Sequence, residues 1–532
     1  MNMMRRKMST VVTAGLLSMA IATGCTNQAE PVKPQDSAQP ADSKQFKGEI
    51  VVSINTSPQT EKAFAKLAEA YNKQQPNVKL IYEPVGSPGN DIRAWLGTQL
   101  AAGTPRPDLV AGQYQPSYDK FVNFDKYRNK VNPYTGRKWS EDLDFDFFES
   151  RDNSFSRTML PTQAAHVMWY YNKTVFDQLG IKPPANWEEL VQISEKLNTA
   201  DYIPIATNYI NKIPQWLHEV YFDQYHRQWN QVAKAQKGDY NYNEELDGLF
   251  KYDPNDPLLN NKYNYNHARM LKGLKEGAVS FDNSGHVEMV RNMAQVFPKY
   301  TQKDVFVSKS GEDYTLWLQQ KAVMIVDTAG LMTTIQKDMA NLSDPKRLEQ
   351  LKLGSDAKLA AFEWGTFENP PMTGSLVQGP VRSVESATGE YVSIIEKSQE
   401  QTEMVLDFVM FWLSKAGYQV WVDGLFESGN GVDGPVMVRD VKLPKEYDEL
   451  FAKVKMMGNA EIEINKWMLV GRVNDLKATG RNMFIEALQG KMTPEEYAKK
   501  FQELWMTNFA EIVEKAGLTM DHIQNPARQP GK

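Results

Sequence analysis

The chain has 532 residues, 41% of them hydrophobic and 24% charged, the proportions of an ordinary soluble globular protein long enough for more than one lobe. Its 60 basic and 66 acidic residues leave a net charge of −6 with no long basic run, which argues against nucleic acid as a partner. A single cysteine excludes an internal disulfide, so stability must come from core packing.

The first element is a leader. Arg5, Arg6 and Lys7 precede an apolar run over residues 11–21, and Ala22, Thr23, Gly24 and Cys25 follow. A charged start, a short apolar stretch and small residues before a cleavage point make a secretion signal. The apolar stretch is too short to span a bilayer comfortably. Cleavage before Cys25 would leave its thiol on the new first residue. This arrangement resembles the lipobox of bacterial lipoproteins, with Ala22 where a large aliphatic residue is usual. The resemblance implies a signal peptide over 1–24, lipidation at Cys25, and an extracytoplasmic protein held to the cell membrane by lipid alone. An ordinary secretion signal with an incidental cysteine is the alternative. Residues 25–46 are rich in Pro, Gln, Ser, Ala and charge, cannot bury enough surface to fold, and read as a flexible spacer.

The folded part opens with a buried strand over 49–54, carried by Ile50, Val51, Val52 and Ile54. Ser57 suits a helix N-cap and Pro58 its first position, with Phe64, Leu67, Ala68 and Tyr71 at helical spacing. A second strand is predicted over 78–82, a second helix over 91–102 and a third strand over 107–111. Strands alternating with helices in this way specify a parallel sheet with crossover helices, whose ligands sit beyond the carboxyl ends of the strands. Asn55, Thr56, Gln113 and Tyr114 occupy such positions. Further along, 405–412 is an aromatic-rich helix. Thr493, Pro494 and Glu496 form a helix start with Tyr497, Phe501, Leu504 and Trp505 on one face.

Several segments, in order, resemble one family. They are Ala68 to Tyr71 with Pro76 and Asn77; Leu100 to Gly103 with Pro107 and Asp108; Tyr170, Tyr171, Asn172 and Lys173 to Phe176, then Leu179, Gly180, Pro183, Pro184 and Trp187 to Leu190. Gln320, Lys321, Ala322, Val323 and Met324, and then Leu488 to Lys491 with Thr493 to Glu496, complete the set. Together they resemble the extracellular solute-binding proteins of ABC importers, the sugar and oligosaccharide group in particular.

The resemblance implies an α/β fold of two lobes (type II, periplasmic-binding-protein-like) with an interlobe cleft and a hinge of crossing strands. Crossings are expected near 163–170, 379–391 and 431–436, where Gly431, Gly434 and Pro435 suit a bend. Lobe one would comprise 47–164 and 380–430, and lobe two 165–379 and 431–532. The stretch 230–266, rich in Asn, Asp and Tyr, is expected as a surface elaboration.

A sugar site needs flat aromatic faces for C–H surfaces and planar polar groups for hydroxyls. Candidates are Asn55, Gln113, Tyr114, Gln163, Asn208, Trp216, Asp327, Thr328 and Trp364. Core packing competes for Trp216 and Trp364. Asp327 and Thr328 stand where the family often carries a cleft aromatic, so hydrogen bonding replaces stacking there. Trp169, Tyr170 and Tyr171 alternate along one strand, so at most one of them faces the cleft. His166 is a weaker candidate.

The six histidines show no zincin-type pair, and neither a phosphate loop nor a nucleophile elbow occurs. Asp253, Asn255 and Asp256 lack the twelve-residue calcium-loop pattern and read as a solvated turn. The sequence therefore predicts a monomeric, non-enzymatic binding protein with no cofactor or metal. It would capture a carbohydrate, an oligosaccharide, by hinge closure and pass it to ABC permease subunits. An extracellular glycosidase or lyase, which needs a carboxylate pair, and a ligand-presenting sensor are the alternatives.

Overall fold

The β-branched run at the start of the folded chain becomes β1 (Gly48–Asn55), which pairs in parallel with β2 (Val78–Val85) and β3 (Leu109–Ala111). The helices Pro58–Gln74 and Ile92–Ala101 make the two crossovers. The computed structural model describes residues 44–55, 58–85, 92–111, 120–144, 158–353, 359–386, 391–453, 456–459 and 467–530. The leader, Cys25 and the start of the spacer lie outside the described residues.

The other strands are β4 (Leu160–Pro161), β5 (Ala165–Asn172), β6 (Ile203–Ala206), β7 (Ala322–Thr328), β8 (Trp364–Phe367), β9 (Val384–Ser386), β10 (Tyr391–Ile394) and β11 (Met456–Asn459). They form two sheets. The first runs β2-β1-β3-β10-β4 and the second β11-β9-β5-β7-β6, with β8 also on β5. The chain thus changes sheet between Pro161 and Ala165, and again after Ser386. Because β9 pairs with β5, residues 384–386 belong to the second sheet, so the change falls later than 380. A third segment, near 433–437, runs antiparallel to 162–166. Ala164 N–H donates to Pro435 O (2.8 Å), His166 N–H to Asp433 O (2.8 Å) and Met437 N–H to Thr162 O (2.9 Å).

All eight residues of β5 are buried, and its side chains alternate between two cores. Val167, Trp169 and Tyr171 join the helical core of the second half, whereas Met168 and Tyr170 join the core shared with the first sheet. The stretch 230–266 corrects the expectation of a surface elaboration. Leu259, Tyr263 and Tyr265 are fully or almost fully buried in the helical core. Tyr263 succeeds as a core residue because its hydroxyl donates to Asn230, which satisfies the polar end that burial would otherwise strand. In the neighbouring turn, Asp253 accepts from Asn255 N–H (2.9 Å) and Asp256 pairs with Lys262.

Candidate functional site

The carboxyl ends of two parallel strands build the second half's contribution. β6 and β7 are parallel, so the loop after Ala206 and the last residues of β7, Asp327 and Thr328, emerge on the same edge. Asn208 shapes the loop. Its Oδ1 accepts from Ile210 N–H (3.1 Å) and Asn211 N–H (3.2 Å), an Asx turn that reverses the chain. Asn208 is fully buried, and its amide reaches Asp313, so its side chain is committed to the loop.

The reversal points Lys212 back at β7. Its Nζ lies 2.6 Å from Asp313 and 2.7 Å from Asp327. Burial pulls the ammonium pKa down, but the two carboxylates outweigh it and the net shift is upward, so the lysine stays charged. Two negative groups around one positive group leave a residual negative charge. It faces solvent through Asp327, whose side chain is 24% exposed against 5% for Lys212 and 1% for Asp313. Trp216 follows one turn later, half-buried, with the Lys212 ammonium 5.9 Å from its ring centroid.

The segment after the helix Lys415–Glu427 closes the other side. Thr328 Oγ1 donates to Asp433 (2.6 Å), and Tyr170 Oη donates to the Thr328 carbonyl (2.7 Å). Gln163 is buried and accepts from Asp433 N–H (3.3 Å). Burial raises the Asp433 carboxyl pKa, the Thr328 hydroxyl opposes it, and the Asp327 charge adds to the rise. Glycines permit this contact. A Cβ at Gly330 would sit 2.5 Å from Asp433 Oδ1, and one at Gly434 would sit 2.6 Å from the Ala164 carbonyl. Nearby, His166 Nε2 lies 2.9 Å from Glu368, a carboxylate 45% exposed.

The structure therefore gathers Gln163, Asn208, Trp216, Asp327 and Thr328 around one strand edge. It does not bring Trp364 there. Val167 pairs with Thr328 but Asn172 pairs with Trp364, so Trp364 lies five residues, roughly 16 Å, along β5 from that edge, with its ring 6.1 Å from that of Tyr170. Asn55 ends β1 of the first sheet. Thr56, Gln113 and Tyr114 lie outside the described residues. Lys212, Asp313, Asp433 and Glu368 escaped the sequence reading. They come from segments far apart in the chain, and no local spacing links them. Among the described residues, no group of three or more metal-ligating side chains is placed to hold an ion, and no helix is long and apolar enough to cross a membrane.

Comparisons with known proteins agree with this architecture. Over 219 residues the chain is 26% identical to an uncharacterized ABC transporter extracellular-binding protein of Pyrococcus horikoshii; the match covers 39% of this chain and about half (46%) of the relative's length. Its fold is similar to that of a chitin oligosaccharide binding protein (TM-score 0.54, 15% identity, 86% of this chain and 98% of the other). It is also similar to the cyclic alpha-maltosyl-1,6-maltose binding protein of Arthrobacter globiformis (TM-score 0.52, 12% identity, 87% and 98%). The two-lobed α/β fold is therefore shared with these proteins. The family model for bacterial extracellular solute-binding proteins matches residues 56–328, just over half of the sequence, and on that match the chain belongs to this family.

Proposed function

We propose that the protein captures an oligosaccharide in the cleft between its two lobes and hands it, chemically unaltered, to ABC permease subunits. One observation carries the reading. A half-buried tryptophan, Trp216, and a part-exposed carboxylate, Asp327, share one neighbour, the Lys212 ammonium, at the carboxyl edge of β6 and β7. An indole face covers the C–H surface of a pyranose, and carboxylate oxygens accept from its hydroxyls. The residual negative charge of the Lys212 cluster favours uncharged sugars over uronates or sulfated ones, because like charge at a partly desolvated edge costs binding energy. The similar solved structures include two proteins named for the oligosaccharides they bind, which supports the class of ligand.

In this reading residues 1–24 are a signal peptide, Cys25 carries lipid, and 25–46 tether a monomer outside the membrane. Lobe one comprises 47–164 and 380–430, with the stretch up to Ser386 reassigned to lobe two on the pairing of β9. The open form exposes the edge, and a ligand that touches both lobes favours closure by its differential affinity. Asn55, Gln113 and Tyr114 would supply the first-lobe contacts. The protein carries out no chemistry on the sugar.

The test is a thermal-shift panel of neutral and acidic oligosaccharides, followed by chromatography of the recovered ligand. A neutral member should raise Tm, since binding to the native state alone stabilises it, and should be recovered intact. Shortened products would establish a glycosidase or lyase instead. No shift with any member would remove the carbohydrate reading.

A further inference from the structure

A second concave site lies away from that strand edge, where three separate segments meet. The helix Pro58–Gln74 packs on Lys415–Glu427 so closely that a Cβ at Gly424 would sit 2.8 Å from the Ala63 Cα. That contact carries Lys62 to the border of a cavity of about 480 Å³. The helix Leu331–Ala340 lines it with Thr334, Lys337 and Asp338, one helical face, and the following helix Pro345–Gln350 adds Lys346 and Arg347. Ser428 and Gly429 complete the wall.

The lining charges do not cancel. Lys62, Lys337, Lys346 and Arg347 face Asp338 and Asp344. Arg347 and Asp338 neutralise one another in a bidentate pair (2.8 and 2.7 Å), and Asp338 also accepts from Tyr314. Asp344 caps its own helix through Lys346 N–H (3.0 Å). Lys337 reaches the Ser428 carbonyl (3.0 Å) at the end of Lys415–Glu427, a position open to it because Gly429 has no Cβ in the way. Its ammonium meets a carbonyl and no carboxylate. Lys62 and Lys346 form no ion pair among the described residues. Three ammonium groups thus border one cavity against the single remaining carboxylate of Asp344, which leaves the lining with a net charge of +2.

We propose that this cavity binds a small molecule bearing a multiply charged oxyanion, a phosphate or sulfate ester. Several ammonium groups around one concavity suit a tetrahedral oxyanion better than a single carboxylate. The volume falls within the range of small-molecule sites and leaves room for an organic portion. Because Lys62 follows β1 of the first sheet, whereas Lys337 and Lys346 follow β7 of the second, an occupant contacts elements of both sheets.

The experiment follows Tm of the full mature chain in sodium phosphate, sodium sulfate and glycerol 3-phosphate, each against chloride at equal ionic strength and without carbohydrate, so it is independent of the sugar reading. A rise of about 1–2 °C at concentrations about tenfold above Kd is expected, lost in the Lys62→Ala/Lys346→Ala double variant. Both lysines are exposed, so the variant should melt like the parent in chloride. A rise in glycerol 3-phosphate but not in the inorganic anions would assign an organic ester. Absence of any rise, or an equal rise in the double variant, would overturn the proposal.

Discussion

Two regions of the second half bury polar side chains and solve the desolvation problem in opposite ways. Around Lys212, burial is compensated by pairing, with an ammonium between two carboxylates at 2.6 and 2.7 Å. In the helical core, His218 and His226 lie two turns apart on the helix His218–His226, and His286 stands across from them with ring centroids at 6.5 and 5.4 Å. Neither ring nitrogen of His218 or His286 has a hydrogen-bond partner among the described residues. These rings are packed as aromatics. His226 stacks on Phe222 at 4.0 Å, and His286 on Tyr497 at 5.8 Å. Burial lowers the pKa of His218 and of His226 to about 3, and that of His286 well below its ordinary value. The strand edge retains its charges and presents part of them to solvent; the helical core is stable only while its imidazoles stay neutral.

Acid should separate the two regions most strongly. An unfolded histidine takes up a proton near pH 6.5, whereas folded His218 and His226 do so only near pH 3 and folded His286 only well below its ordinary range, so the unfolded state binds more protons in between. The contribution of these histidines is full above pH 6.5 and falls as pH drops towards 4, at about 1.4 kcal/mol per pH unit for each proton that the unfolded state alone takes up. Asp223 does not contribute in this window. Burial pushes its carboxyl up, Arg227 and Arg382 outweigh that, and it stays ionised below its ordinary range. Asp407 and Asp433, raised by burial, titrate in the opposite sense and offset part of the loss. Urea denaturation at pH 7, 6, 5 and 4 measures the slope; a flat profile would contradict the neutral trio.

Lys212→Met attacks the other region. It leaves Asp313 and Asp327 facing each other without a cation, and loss of about 3–5 kcal/mol is expected from the same titrations at pH 7. A variant as stable as the parent would show that the pair of carboxylates tolerates separation from the lysine. The smallest effect belongs to His286→Phe. With no bond to break and two aromatic rings to stack on, it should cost less than about 1.5 kcal/mol at pH 7 while reducing the acid slope by one proton. An unchanged slope would remove His286 from the trio.

The contrast also marks what the sequence makes legible. β1 to β3 follow from β-branched runs bounded by Asn, Pro and Gly, because a strand in a parallel sheet is specified by its own few residues. The helix Pro58–Gln74 begins at its proline. The helix Pro494–Thr507 carries the full reciprocal cap between Thr493 and Glu496, since caps too are local. Gly434 stood out as a bend residue, and its reason is the approach of the Ala164 backbone. Lys212 stayed hidden because its buried ion pairs join segments a hundred or more residues apart, and Asp433 because its hydrogen bond from Thr328 does the same. The stretch 230–266 looks like surface in the sequence because its tyrosines read as polar, whereas Tyr263 and Tyr265 are buried and the Tyr263 hydroxyl is satisfied by Asn230.

The most direct measurement is isothermal titration of the mature protein and of Trp216→Ala with whichever neutral oligosaccharide gives the largest thermal shift. Loss of a stacked indole should weaken binding at least tenfold, about 1.4 kcal/mol or more, with the melting temperature in the absence of sugar little changed, because Trp216 is only half-buried. Equal affinity in the two proteins would place the sugar elsewhere and contradict the account.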